Sequence, residues 1–264
     1  MLRQRVITAL ILGAVVLLGI FFLPHQAITA VIALLILAGA WEWSAFLGLT
    51  DMLKRLGFVL LIVASMATIW WAGPEASRFD NVPIGAACWW LLALAWIALM
   101  PAVINTGSAA LAGIMVLLPA WLALVRLHAM NPQLMLFVLL LVVAADVGAY
   151  FAGRQFGKHK LAPRVSPGKT WEGVLGGLAG AMILAAIGVF WFGMAAAPFM
   201  GLCVVVFGAS VIGDLTESMF KRHAGLKDSG SLLPGHGGVL DRLDSVTAAA
   251  PVFLFGLERL GLWR

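Results

Sequence analysis

Two stretches of this 264-residue chain gather residues able to handle phosphate and divalent cations. One runs from Gly213 to Ser245, GDLTESMFKRHAGLKDSGSLLPGHGGVLDRLDS, and carries a small pattern twice: Asp214-x-x-Glu217-Ser218 and Asp241-x-x-Asp244-Ser245. Residues three and four apart share one helix face, about 5–6 Å apart, so each copy presents two carboxylates and a hydroxyl together. Such a hard-oxygen surface suits Mg²⁺, which takes one or two protein carboxylates and completes its shell with water and substrate phosphates. Zinc does not suit it, because His223 and His236 are far apart and no thiolate is near. Between the acidic faces lie Lys221, Arg222 and Lys227, then the turn Pro234-Gly235-His236-Gly237-Gly238. Glycines there permit close backbone approach to a ligand or a positive φ.

The other stretch, DVGAYFAGRQFGKHKLAPRVSPGKTWEG, runs from Asp146 to Gly173. Its Gly168-Lys169-Thr170 imitates the end of a nucleotide-binding P-loop, but the required first glycine falls at Pro163 and no strand is expected before it. What remains is a phosphate-binding prospect. Ser166, Lys169 and Thr170 immediately precede an expected helix, whose free N–H groups and dipole attract anions. Arg154, Lys158, Lys160 and Arg164 serve equally well as contacts to anionic lipid headgroups. Asp146 lies in the apolar run LLLVVAADVGAYF, where an unpaired charge costs several kcal/mol. It therefore requires a partner, either Tyr150 one turn on or a cation from the other stretch. Glu42, in AWEWSAF, is expected to reach the membrane interface between Trp41 and Trp43.

The elements that must position these residues are membrane helices. The chain is 62% hydrophobic and only 11% charged, against about 25% charged in ordinary soluble domains. Apolar spans fall near 6–23, 27–47, 56–72, 84–103, 109–127, 134–152, 173–192, 197–213 and 243–262. The expected fold is all-α and polytopic, with about nine transmembrane helices. The basic, apolar N-terminus is expected to remain as an uncleaved first helix. Thirteen of the 17 Lys and Arg residues fall on one side of these spans and four on the other, which predicts a cytoplasmic N-terminus. Residues 1–133 are read as membrane scaffold and 134–264 as the catalytic region of one continuous membrane domain. Cys88 and Cys203 each sit in an apolar run, as small buried hydrophobes.

With these residues in view, the chain resembles the phosphatidate cytidylyltransferase, or CDP-diacylglycerol synthase, family. The family's C-terminal signature runs unbroken through SMFKRHAGLKDSGSLLPGHGGVLDRLD, Ser218 to Asp244, and SPGKTWEG, Ser166 to Gly173, also matches a family motif. The first half resembles the family only in hydropathy. The resemblance implies that CTP and phosphatidate are converted to CDP-diacylglycerol and pyrophosphate at a bacterial-type inner membrane, with the active site facing the cytoplasm. It also implies Mg²⁺ in a two-metal site, whose second ion is left open as divalent or monovalent, and a homodimer with no nucleic-acid partner. By position Asp214 and Asp241 fall on the family's metal-binding aspartates, with Asp244, Glu217 and Asp146 as further candidates. Lys169 and Lys227 are the expected catalytic cations. Ser166, Thr170, Lys221 and Arg222 are expected to bind substrate, together with Asp228, His236 and Arg242. Three rivals compete, two of them a CTP-dependent lipid kinase, which would release CDP, and a transporter, which would more often show internal repeats and midplane helix breaks. A scaffold for anionic lipid would need the basic loops but not the acidic pairs.

Overall fold

Long apolar runs leave the backbone one way to satisfy its polar groups without water, which is to form helices. The computed structural model describes residues 13–72, 89–91, 93–94, 104–230 and 237–263. Its helices are α1 (Gly13–Phe22), α2 (His25–Phe46), α3 (Met52–Ala72), α4 (Thr106–Met130), α5 (Pro132–Phe156), α6 (Trp171–Phe192), α7 (Ala196–His223) and α8 (Asp244–Arg259). Six of them, α2 to α7, are long and apolar enough to cross a membrane, so the chain is a multi-pass helical membrane protein. Most of the span expected at 84–103, and the beginning of the first span, lie outside the described residues.

Polar residues cap the starts of α4, α5 and α6. Asn105 and Ser108 form a reciprocal capping box at α4, Asn131 caps α5 ahead of Pro132, and the Thr170 hydroxyl accepts the Gly173 N–H at α6. Arg55, at the start of α3, donates to the Trp41 carbonyl and the Ser44 hydroxyl and stacks on the Trp41 ring at 4.1 Å. It thereby satisfies the end of α2.

Two helices depart from the spans read in the sequence. The eighth span was expected to end near Gly213, but α7 continues for ten residues to His223. Its polar last turns, including Glu217, Ser218 and Lys221, are buried in protein rather than released into a loop. The final helix, α8, has only 16 residues and is buried from Ser245 to Leu254. Helices α4, α5 and α7 pack around it, so it need not match the bilayer thickness. A third departure is a small antiparallel hairpin between α5 and α6, β1 (Lys160–Ala162) with β2 (Ser166–Thr170), which pairs Lys160 with Thr170. Strands of three and five residues containing Pro167 and Gly168 are too short and too broken to read from periodicity.

Helices α5 and α6 lie against each other along a stripe of small residues. A Cβ on Gly148 or on Gly176 would strike the opposite backbone, and Gly180 faces the Ala144 carbonyl in the same way. Close approach of this kind holds membrane helices together by van der Waals contact, because lipid supplies no hydrophobic drive between helices. Gly176→Val is therefore expected to cost at least about 1–3 kcal/mol through overpacking. Thermal unfolding in detergent measures it, and an unchanged midpoint would show that the two helices can separate freely.

Candidate active site

The C-terminal ends of α2, α5 and α7 meet the N-terminal ends of α6 and α8 at one end of the bundle. There a cavity of about 410 Å³ lies among α5, α6, α7 and the hairpin. Helix α5 supplies Asp146, Tyr150 and Arg154, which recur every four residues and so line one face. Asp146 lies eight residues, about 12 Å along the axis, from Arg154. The hairpin adds Lys169 and Thr170, and α7 adds Ser210 and Asp214. The Lys169 ammonium pairs with the Asp214 carboxylate, whose other oxygen faces the Ser218 hydroxyl at 3.4 Å.

Two turns further along α7, a second cluster is buried. Lys221 reaches Asp241 at 2.6 Å and Glu217 at 3.0 Å. Apart from the Lys221 ammonium, no donor among the described residues reaches either Glu217 oxygen, although the side chain is only 2% exposed. Asp241 belongs to a 3₁₀ turn, Leu240–Arg242, that leads into α8. Its Oδ2 accepts the N–H groups of Ser229 and Gly238, both at 2.9 Å. Burial alone would push the Asp241 carboxyl upward, but the Lys221 ammonium and those two amides outweigh it and hold the group below the ordinary carboxylate range. Gly237 stands at φ 82°, and a side chain there would press on the Asp241 carboxylate. Gly213 lets α8 approach closely, since a Cβ would meet the Asp244 carbonyl.

The two clusters form one electrostatic unit. Asp146 interacts with Asp214 and Lys169, Asp244 with Asp214 and both lysines, and Glu217 with Asp244 and Asp241. Five carboxylates thus share two ammonium groups, those of Lys169 and Lys221. Among the described residues no three His, Cys, Asp or Glu side chains converge to enclose a metal ion. The donor chemistry nevertheless fits a hard cation: the oxygens are in excess over the lysines, and the buried Glu217 carboxylate has the shared Lys221 ammonium and no other donor among the described residues.

Several sequence expectations change here. Tyr150 accepts from Arg154 at 2.9 Å, and it is Lys169 and Asp214 that Asp146 senses. Asp241 and Asp244 do not share a helix face, because the 3₁₀ turn ends between them. Arg222 is exposed in the last turn of α7, Lys227, Asp228 and Arg242 are exposed on the segment between α7 and α8, and Ser166 is half-buried at the start of β2. His236 lies outside the described residues, as does Cys88, while Cys203 is free and buried. The clearest correction concerns Glu42, which does not reach the interface. It is 2% exposed and accepts hydrogen bonds from Ser229, Val239 and Leu240, and its neighbour Trp43 is buried with its indole N–H on the Ala109 carbonyl. An acid inside an apolar run was the available signal; its partners, nearly two hundred residues away, were not legible.

A bundle of apolar helices that ends in a cavity of lysine, arginine and clustered carboxylates defines a class: a membrane-embedded protein built to handle polyanions at one end of the bundle. Residues 3–259 match the model of the cytidylyltransferase family, and the chain belongs to that family. It is 43% identical to the phosphatidate cytidylyltransferase of Pseudomonas aeruginosa, with 96% of each chain covered. It is 41% identical to the protein of the same name from Haemophilus influenzae, covering 97% of this chain and 98% of that one. A Staphylococcus aureus protein of that name is 44% identical over 44% of this chain and 46% of its own.

Proposed function

We propose that this chain transfers the cytidylyl group of CTP to phosphatidate, forming CDP-diacylglycerol and pyrophosphate. The observation that carries the reading is the cavity in which Lys169 and Arg154 face Asp146 and Asp214 at the end of a lipid-embedded bundle. Near-full-length similarity to relatives of that name supports it. A phosphate monoester with a second pKa near about 6 is mostly dianionic at neutral pH, so phosphatidate needs no dedicated general base. Its oxygen forms a bond to the α-phosphorus of CTP as the bond from that phosphorus to the pyrophosphate oxygen breaks. The protein's task is then to position the partners and neutralise charge. Lys169 and Arg154 bind phosphate oxygens within the cavity, while Arg222, Lys227 and Arg242 attract nucleotide from the solvent side. Ser166, Thr170, Asp228 and His236 complete the proposed substrate contacts.

Asp214 and Asp241 are the proposed holders of Mg²⁺, with Asp244, Glu217 and Asp146 adjoining. When bound, Mg²⁺ would neutralise the reacting phosphates and stabilise the leaving pyrophosphate. The proposed setting is an inner membrane with the site facing the cytoplasm, and a homodimer.

Product identification tests the reading. Purified protein given CTP labelled at the α-phosphate, phosphatidate and Mg²⁺ should place label in lipid and release pyrophosphate. Release of CDP with label-free lipid would instead indicate a lipid kinase. The proposed orientation is tested by placing single cysteines at Lys54, on the site end, and at Ala196, at the opposite end, in a background lacking Cys88 and Cys203. An impermeant maleimide should reach position 196 from outside in sealed cells and position 54 only after permeabilisation, and the reverse pattern would invert the topology.

A further inference from the structure

The geometry assigns to Glu42 of α2 the part of a positioning residue for the proposed transfer: its carboxylate fixes the turn that presents Asp241 to Lys221. Four consecutive amides open that turn, and each has a defined acceptor. The Gly238 N–H donates to Asp241 Oδ2 at 2.9 Å. The Val239 N–H donates to Glu42 Oε1 at 3.0 Å, and the Leu240 N–H to Glu42 Oε2 at 2.8 Å. The Asp241 N–H donates to the Ser229 hydroxyl at 3.3 Å. That hydroxyl in turn donates to Glu42 Oε2 at 2.9 Å, and the Ser229 N–H donates to Asp241 Oδ2. Glu42 therefore grips the turn directly through two amides and reaches Asp241 through Ser229.

Free N–H groups at the start of a helical turn form an anion-binding concavity. Here the anion is supplied by a distant helix of the same chain. Gly230 and Gly238 have no side chain for the same reason, since a Cβ on either would collide with the Glu42 carboxylate. Glutamine cannot replace Glu42 without loss. It keeps one acceptor oxygen but turns an NH₂ toward an amide that is itself a donor, so at least one contact becomes a clash of hydrogens. The turn then slackens, and with it the Asp241 oxygens that face Lys221. Displacements of about 1 Å far from the reacting atoms can cost about 100-fold in rate.

The test rests on the proposed cytidylyl transfer and uses the full chain in detergent, as wild type, Glu42→Gln, Ser229→Ala and Arg126→Gln. The last removes an ion pair with Glu258 of 3.1 Å at the opposite end of the bundle and controls for simple loss of stability. Glu42→Gln should lower kcat about 30-fold or more, with KM for CTP changed far less. Hydrogen exchange at the Val239 and Leu240 amides should rise by about tenfold or more while α7 stays protected. Ser229→Ala keeps both direct grips but cuts the relay, and should lower kcat about tenfold. Arg126→Gln should lower the thermal midpoint without lowering kcat. A Glu42→Gln protein with kcat within about twofold of wild type, or with activity lost only in proportion to the folded fraction, overturns the assignment. If Glu42→Gln does not fold, Ser229→Ala decides, and an unchanged kcat there overturns it as well. A wild-type protein that transfers no cytidylyl group would sink the proposed function instead, and the exchange measurement would still judge the grip.

Discussion

Asp214→Asn is expected to abolish cytidylyl transfer while leaving the chain folded. Asp214 lines the cavity with its side chain 26% exposed, so the substitution leaves no uncompensated group in the core. Asn keeps the size and one oxygen of Asp, and can still meet the Ser218 hydroxyl. What disappears is the charge that holds Lys169 and that adjoins Asp146 and Asp244. If Asp214 and Asp241 serve one cation and one reacting phosphate, each single Asn variant should lose roughly a thousandfold or more in turnover. The double variant should then be scarcely worse than either single one, because the residues act as a unit. A merely structural surface pair would show additive losses under about 1 kcal/mol and near-normal turnover. Turnover across a Mg²⁺ titration, with thermal unfolding alongside, separates the two cases. Near-normal turnover of either single variant at ordinary Mg²⁺ would remove Asp214 and Asp241 from the mechanism.

Lys221→Met should fail differently, by losing stability together with activity. Its ammonium is the cation shared by Glu217 and Asp241, in a place where Glu217 is 2% exposed and has no other donor among the described residues. Removing one partner of a buried ion pair leaves an uncompensated charge and costs about 3–5 kcal/mol. Asp241 retains the amides of Ser229 and Gly238, so most of the damage falls on Glu217. Adding Glu217→Met to Lys221→Met should therefore restore much of the thermal midpoint, since a buried pair replaced by apolar residues of similar volume is often neutral or stabilising. Turnover should stay low in the double variant, because Asp241 still lacks its lysine. A single variant as stable as wild type would mean that the Glu217 carboxylate does not depend on Lys221.

These predictions draw on two kinds of legibility. The membrane class, the spans described and the two polar stretches could be read directly, because apolar runs, helix caps and i, i+4 spacing are local properties of a chain. Asp214, Glu217 and Ser218 could be placed on one helix face for that reason, and they lie on one; Lys221, read as lying between the acidic faces, joins them because α7 runs on to His223. Lys169 and Thr170 were legible as residues at a helix start, and Thr170 is the N-cap of α6.

Pairing was not local, and only the tertiary structure decided it. Lys169 reaches Asp214 and Lys221 reaches Asp241, whereas the Arg154–Tyr150 contact is a local i, i+4 pair within α5. Lys169 lies on the hairpin and Asp241 on the turn before α8, so each pair forms only when those elements are brought against α7, which no periodicity encodes. Glu42 shows the limit most clearly. An acid between two tryptophans near a helix end reads as an interfacial residue, and every local feature agrees with that. Its donors, Val239 and Leu240, are 197 and 198 residues away, and the first half of the chain, read as scaffold, supplies an acceptor to the site. A buried carboxylate is tolerated only where donors meet it, and which donors meet Glu42 was settled by the packing of α2 against the turn before α8, not by the residues beside it.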